Sequence, residues 1–295
     1  MSSSANKLAI GTVQFGLDYG VTNNSGKVQI KEVRSILEFA KNNDINVLDT
    51  AARYGNSEEV LGSADVGDFQ VITKTTPLKN DVNEVIDNFY KSLKNLNKDQ
   101  VYGLLVHDVG DIDNEQFDLL YRKIIELKQQ GLVSKIGFST YMPEQVDFLL
   151  ENFDFDLVQL PFNIFDVRLI KGGQLQELKN KNVEVHARSI FLQGILVNDF
   201  KYWPKIKGHN FEPIYDNITN LCQKYELTKI ELVIGYIKSI KWIDSVLFGV
   251  DNIEQLKENI ALYKNTTELN KTILNECTKL FSNIPKELVN PVLWN

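Results

Sequence analysis

The chain has 295 residues, 43% hydrophobic and 24% charged, with a formal net charge of −7. This composition is that of a globular protein and excludes collagen, low-complexity disorder and coiled-coil rods. The acidic balance opposes nucleic-acid binding, which needs a basic face, and leaves room only for local anion sites at helix N-termini.

The opening MSSSANK carries no apolar run, and no stretch approaches about 18 uncharged apolar residues, so export and membrane insertion are not expected. A cytoplasmic protein is expected, in which the sequons at Asn217 and Asn265 have no role. Short apolar runs then alternate with amphipathic stretches from end to end. Strands are predicted at Leu8–Gly11, Asn46–Asp49, Gln70–Thr73, Val101–Val106, Lys135–Phe138, Leu157–Leu160, Val183–His186 and Val246–Phe248. Between them, Val33, Ile36, Leu37 and Ala40 share one helical stripe, as do Val85, Phe89, Leu93 and Leu96. Phe117, Leu120, Ile124 and Leu127 form another, which Gly131 terminates. Gly194–Glu212 is a long connection that could overhang a site after the seventh strand. A tail helix is predicted near Leu269–Phe281, followed by Pro285, Pro291 and Trp294. Cys222 and Cys277 lack disulfide or metal-ligand spacing and read as small buried hydrophobes, so no metal is expected.

Eight strands separated by helices imply a closed parallel sheet, a (β/α)8 barrel. An open doubly wound sheet is the rival. It usually carries a glycine-rich phosphate turn, but no GxGxxG occurs and Ser25-Gly26-Lys27 lacks P-loop spacing. One domain, 1–295, with an extra C-terminal helix, is the expected organisation. A chain of this size buries roughly 75% of its unfolded surface and needs no staple.

In such a barrel the chemistry lies at the C-terminal ends of the strands. Those ends offer Asp49, Lys74, His107, Ser139, Gln159 with Asn163, and Arg188-Ser189, while Tyr54 follows Asp49 in the loop D-T-A-A-R-Y-G. A lysine ammonium beside a phenol lowers the phenol's pKa, and a carboxylate keeps that lysine charged. The phenol can then protonate a carbonyl oxygen that is receiving a hydride, with the histidine orienting the substrate. Taken singly, each residue has a plainer reading: Asp49 a helix cap, Lys74 a surface cation, His107 a hydrogen-bonded structural residue, Tyr54 packing. Four such types at four active-face positions shift the balance to chemistry.

Asn46 to Gly62, N-V-L-D-T-A-A-R-Y-G-N-S-E-E-V-L-G, resembles the signature segment of the aldo-keto reductases. Val71–Thr75 (V-I-T-K-T), Leu104–Asp108 (L-L-V-H-D), Lys135–Thr140 (K-I-G-F-S-T), Val158–Asn163 (V-Q-L-P-F-N) and His186–Leu196 (H-A-R-S-I-F-L-Q-G-I-L) are similar to later blocks in the same order. So is the stretch Gly249–Asn259, and the likeness spans roughly Leu8 to Asn259. The resemblance implies a nicotinamide-dependent carbonyl reductase using NADPH or NADH. Tyr54 would be the general acid/base, Asp49 and Lys74 its tuning pair, and His107 the substrate-orienting group. Ser139, Gln159 and Asn163 would lie at the nicotinamide, and Arg188 would stand where many members stack an aromatic. Ser189 through Leu196, with Gly194, would line the pyrophosphate, Glu258 and Asn259 would reach the adenine, and Gly11 and Thr12 would also touch the cofactor. Phe15, Asn163 and Trp203 are the expected substrate contacts, with Phe162 and Phe165 as further apolar wall. Asp166 and Arg168, just beyond Asn163, suit a hydroxylated or anionic substrate. The expected partner is thus a small carbonyl or sugar-like molecule, acted on by a monomer or weak homo-oligomer.

The chain departs from the family pattern in three places. Only seven residues precede Leu8, too few for the β-hairpin that closes the barrel bottom in many members. Where the family often sets a Lys-Ser pair and an Arg around the 2′-phosphate of NADPH, this chain has Gly249, Val250 and Gln255, with Asp251 alongside. That opens NADH as an option unless Lys238 and Lys241 compensate. Asp108, next to the histidine, is expected to raise its pKa if the two approach. Two other functions fit less of the pattern: a Schiff-base lyase using Lys74, and a non-catalytic cofactor-sensing or scaffold barrel.

Overall fold

The computed structural model describes residues 7–19, 26–79 and 81–294. The opening segment before Lys7, and Ser25 of the rejected phosphate-loop candidate, lie outside them. Eight strands run in chain order: β1 (Leu8–Gly11), β2 (Val47–Asp49), β3 (Gln70–Lys74), β4 (Val101–Val106), β5 (Val133–Ser139), β6 (Leu157–Pro161), β7 (Glu184–Arg188) and β8 (Ser245–Gly249). Each pairs in parallel with the next, and β8 pairs with β1 to close the barrel. The predicted (β/α)8 architecture is the observed one.

Parallel neighbours require a crossover, and the helical stripes supply it. Helix Ile30–Lys41 buries Val33, Ile36, Leu37 and Ala40 against the sheet. Helix Val82–Leu96, capped by the Asp81 carboxylate on Asn83 N, buries Val85, Phe89, Leu93 and Leu96. Helix Phe117–Gln129 does the same with Phe117, Leu120, Ile124 and Leu127. Inside the barrel, Ala9, Val47, Ile72, Leu105, Leu157 and Leu247 form a separate apolar cluster. Gly137 is obligatory there, because a Cβ would lie 1.7 Å from the Leu157 carbonyl oxygen.

Strand ends are set by pairing and not by hydrophobicity alone. β5 is longer than predicted at both ends, and β7 starts one residue later and runs on through Arg188, which pairs with Pro161. Lys74, predicted to follow a strand, is the last residue of β3.

At the N-terminal end of the barrel a polar cluster lies beneath the apolar one. Tyr102 Oη donates to Glu184 Oε2 (2.7 Å), Lys135 pairs with the same oxygen, and His186 Nε2 lies 2.5 Å from Oε1. Burial pushes the Glu184 carboxyl up, but the donors from His186, Lys135 and Tyr102 prevail and hold it at about 2. The tail folds as helix Lys271–Leu280, and the Trp294 indole donates to the carbonyls of Glu287 (3.0 Å) and Leu288 (3.2 Å). Cys222 and Cys277 are free and buried. Among the described residues no helix is long and apolar enough to cross a membrane.

Candidate active site

The C-terminal ends of β2, β3 and β4 bring four predicted residues together. Lys74 Nζ lies 2.7 and 2.8 Å from the two Asp49 carboxylate oxygens, 2.9 Å from the Thr50 carbonyl and 3.5 Å from Tyr54 Oη. Gln159 Nε2, from β6 across the barrel, donates to Asp49 Oδ1 at 2.7 Å. Tyr54 and His107 meet edge to face, with ring centroids 5.8 Å apart. The reacting candidates therefore share one end of the barrel, and Lys74 sits between the carboxylate and the phenol.

Hydroxyl hydrogen bonds and two glycines fix the path of the Tyr54 loop. Ser57 Oγ donates to the Thr12 carbonyl (2.9 Å), Thr12 Oγ1 to the Asp49 carbonyl (2.9 Å), and Thr50 Oγ1 to Ser57 Oγ (3.2 Å). Two glycines let the loops meet: a Cβ on Gly16 would lie 1.8 Å from the Tyr54 carbonyl oxygen, and one on Gly55 2.3 Å from the Gly16 carbonyl oxygen. Gly55 also has φ +57°, in the left-handed region that suits glycine. Thr12, expected at the cofactor, is wholly buried in this hydroxyl network.

The electrostatics differ from the sequence expectation in two respects. Burial raises the Tyr54 phenol above its ordinary range, and the Lys74 charge opposes this without overcoming it. Burial lowers Lys74, but Asp49 and Tyr54 outweigh it and the amine stays an ammonium. His107 is pushed down to about 3, chiefly by burial and then by the charges of Lys74, Arg53 and Arg188. Asp108 does not raise it. Its carboxylate accepts from Gly110 N at 2.9 Å and caps the following turn instead.

Other candidates take varied places. Ser139 and Gln159 face each other in the β5–β6 register. The Arg188 guanidinium stacks on Tyr141, 4.2 Å from its ring centroid, and Nη2 donates to the Thr140 carbonyl (3.1 Å). Asn163 is fully buried and spends its amide on its own loop, donating to the Ser189 carbonyl (3.3 Å) and accepting from Phe165 N (3.0 Å). After β7, Ser189, Leu192 and Gln193 have positive φ, followed by Gly194 at +92°. Non-glycine residues in that region cost about 1–3 kcal/mol each and persist only where the surroundings impose them. Leu196 is buried beneath this turn, whereas Gly249, Glu258 and Asn259 lie on the surface around β8 and the helix Ile253–Asn265.

The expected apolar wall is not at the mouth. Phe15, Phe162 and Phe165 are core residues, and Trp203 is buried against Phe165, Phe200 and Tyr215 with its indole bonded to the Ile195 carbonyl (2.9 Å). Trp203 thus pins the long connection down. Arg168 is taken up by a two-point ion pair with buried Asp166 (both contacts 2.7 Å). Sequence reasoning missed Ser57, Thr140 and Gln14. Thr140 Oγ1 and Gln14 Oε1 are buried without hydrogen-bond partners.

The family profile described as the aldo/keto reductase family matches residues 7–281. The chain belongs to this family. It is an NAD(P)-dependent oxidoreductase acting on small carbonyl substrates. Among similar proteins, the uncharacterized oxidoreductase YqkF of Bacillus subtilis (strain 168) is 27% identical over 255 residues, 77% of this chain and 80% of that protein. An NADH-specific methylglyoxal reductase of Escherichia coli (strain K12) is 24% identical over 167 residues, 51% of this chain and 50% of that protein. The holo form of the aldo-keto reductase AKR11C1 from Bacillus halodurans shares the fold at a TM-score of 0.75. It is 22% identical, with 96% of this chain and 95% of that one covered.

Proposed function

We propose that this enzyme interconverts a carbonyl and an alcohol on a small polar substrate, with Tyr54 as the proton donor and acceptor. The observation that carries this reading is the buried Lys74 ammonium, held by Asp49 and directed at Tyr54 Oη. A phenol kept protonated by burial is an acid at neutral pH, the form carbonyl reduction needs. Lys74 stabilises the phenolate that remains after the proton leaves, and Asp49 with Gln159 fixes Lys74. His107, neutral across the ordinary pH range, has one ring N–H with which to hold the carbonyl oxygen. Arg53, Arg188 and Lys74 together favour the negative charge that develops on that oxygen.

The dinucleotide, when bound, supplies or accepts the hydride. The orphaned acceptors Asp251 Oδ1 and Gln14 Oε1 at the β1 and β8 rim suit a hydroxylated ligand. Arg188, Ser139 and Gln159 would hold its nicotinamide end, and the turn Ser189–Gly194 its phosphates. The adenosine end would lie toward Gly249–Asn259.

Lys74 is a poor Schiff-base nucleophile, because an ammonium tied to a carboxylate has no free electron pair. A scaffold role leaves the buried Asp49–Lys74–Tyr54 arrangement without a use. The test is dinucleotide oxidation by the purified protein with a panel of small aldehydes, ketones and hydroxylated carbonyls. Consumption with one or more of them supports the reading; a panel without turnover and no dinucleotide binding would remove it.

A further inference from the structure

The first turn of helix Ile253–Asn265 is met by a residue from the other end of the chain. Glu32, in the first turn of helix Ile30–Lys41, accepts from Ile253 N through Oε1 at 2.6 Å. Asn252 Oδ1 accepts from Gln255 N at 2.9 Å, and Gln255 Oε1 accepts from Asp251 N at 2.8 Å. Three amides that an incoming phosphate would use already have acceptors within the protein, and one of those acceptors is a carboxylate.

In barrels of this kind, phosphate frequently binds at the loops after the last two strands and at a helix N-terminus. Here that position carries two carboxylates. Gln255 Nε2 turns to Asp251 Oδ2 (3.3 Å), while Asp251 Oδ1 is buried with no partner. A phosphate of about −1.5 to −2 charge beside such groups is repelled. An uncharged hydroxyl instead finds an acceptor waiting. The lysines that sequence left as possible compensation are committed elsewhere. Lys238 Nζ donates to the Tyr263 (2.7 Å) and Thr266 (2.6 Å) carbonyls at the opposite end of the same helix, and Lys241 pairs with Glu268.

We propose that Glu32 is a specificity-determining residue which, with Asp251, makes this enzyme select the nicotinamide dinucleotide that lacks a 2′-phosphate. This rests on the reading that the chain binds such a dinucleotide at this end of the barrel. The neutralised helix N-terminus removes the attraction for the phosphate, and the orphaned Asp251 oxygen rewards the free ribose hydroxyl.

The test is the ratio of NADPH to NADH dissociation constants, read from intrinsic fluorescence in wild type, Glu32→Gln and Asp251→Asn. Adenosine 2′,5′-bisphosphate and 5′-AMP serve as competitors, and thermal melts report folding. Wild type is expected to favour NADH, and Glu32→Gln to narrow the ratio by about two- to five-fold, the usual effect of one charge at a helix N-terminus. Asp251→Asn is expected to narrow it in the same direction, and the bisphosphate is expected to gain on 5′-AMP in both variants. A wild type that prefers NADPH, or ratios that stay fixed in folded variants, would overturn the proposal while leaving the oxidoreductase reading intact. Wild type that binds neither dinucleotide nor either competitor would overturn both.

Discussion

The Lys74 ammonium and the Asp49 carboxylate form a two-point ion pair, 2.7 and 2.8 Å, with side-chain exposures of 1% and 4%. Neither charge has access to water, so each depends on the other. Removing one partner from such a pair costs about 3–5 kcal/mol because the survivor is buried uncompensated. Asp49→Asn and Lys74→Met are each expected to lower stability by that order. The double variant should lose clearly less than the sum. Chemical denaturation of the two singles and the double checks this, with additive losses as the contrary result.

A pH dependence follows from His107. Its pKa falls from 6.5 to about 3 on folding, so the unfolded chain binds more protons in that interval. Stability from this residue is complete above about pH 6.5 and declines as the pH falls toward 3. Wild type should lose denaturant midpoint between about pH 7 and about pH 4, and His107→Gln should show a shallower slope over the same range. Equal slopes would show that the imidazole is not held neutral. Glu184, lowered from 4.5 to about 2 in the fold, adds a further loss as the pH falls from about 4.5 toward 2.

Gly55 is expected to be intolerant of substitution. With φ +57° and a Cβ position 2.3 Å from the Gly16 carbonyl oxygen, Gly55→Ala must move the Tyr54 loop. Turnover should fall by at least about ten-fold, more than dinucleotide affinity does, because a displacement of about 1 Å at a reacting group is costly. Steady-state kinetics beside binding titrations read the split. A loss confined to binding would argue against the loop's positioning role.

The barrel was readable because burial on both faces writes each parallel strand as a short apolar run, and because helix stripes repeat every three to four residues. The motif positions of Asp49, Tyr54, Lys74 and His107 were readable too, and all four lie at one end of the sheet. Direction of titration was not. The Tyr54 shift depends on how much water burial removes, which a sequence does not record. Trp203 misled for a similar reason, since an aromatic in a long loop reads alike whether it lines a cavity or staples the loop. Glu32 carried no signal at all: its contact with Ile253 spans 221 positions and exists only once the barrel closes.

The phosphate-binding departure is reversible on this account. Asp251→Ser with Gln255→Arg removes a repulsive carboxylate and supplies a two-point phosphate donor. Preference should move toward NADPH by about ten-fold or more, measured as the ratio of kcat/KM values with the two dinucleotides. An unmoved ratio would place phosphate recognition elsewhere.

Tyr54 is proposed to transfer the proton. Tyr54→Phe retains the ring that packs edge to face on His107 and removes only the hydroxyl near Lys74. The decisive measurement is dinucleotide affinity and carbonyl reduction in this one variant. Binding is expected within about two-fold of wild type and turnover lower by about 100-fold or more. Reduction at the wild-type rate would contradict it.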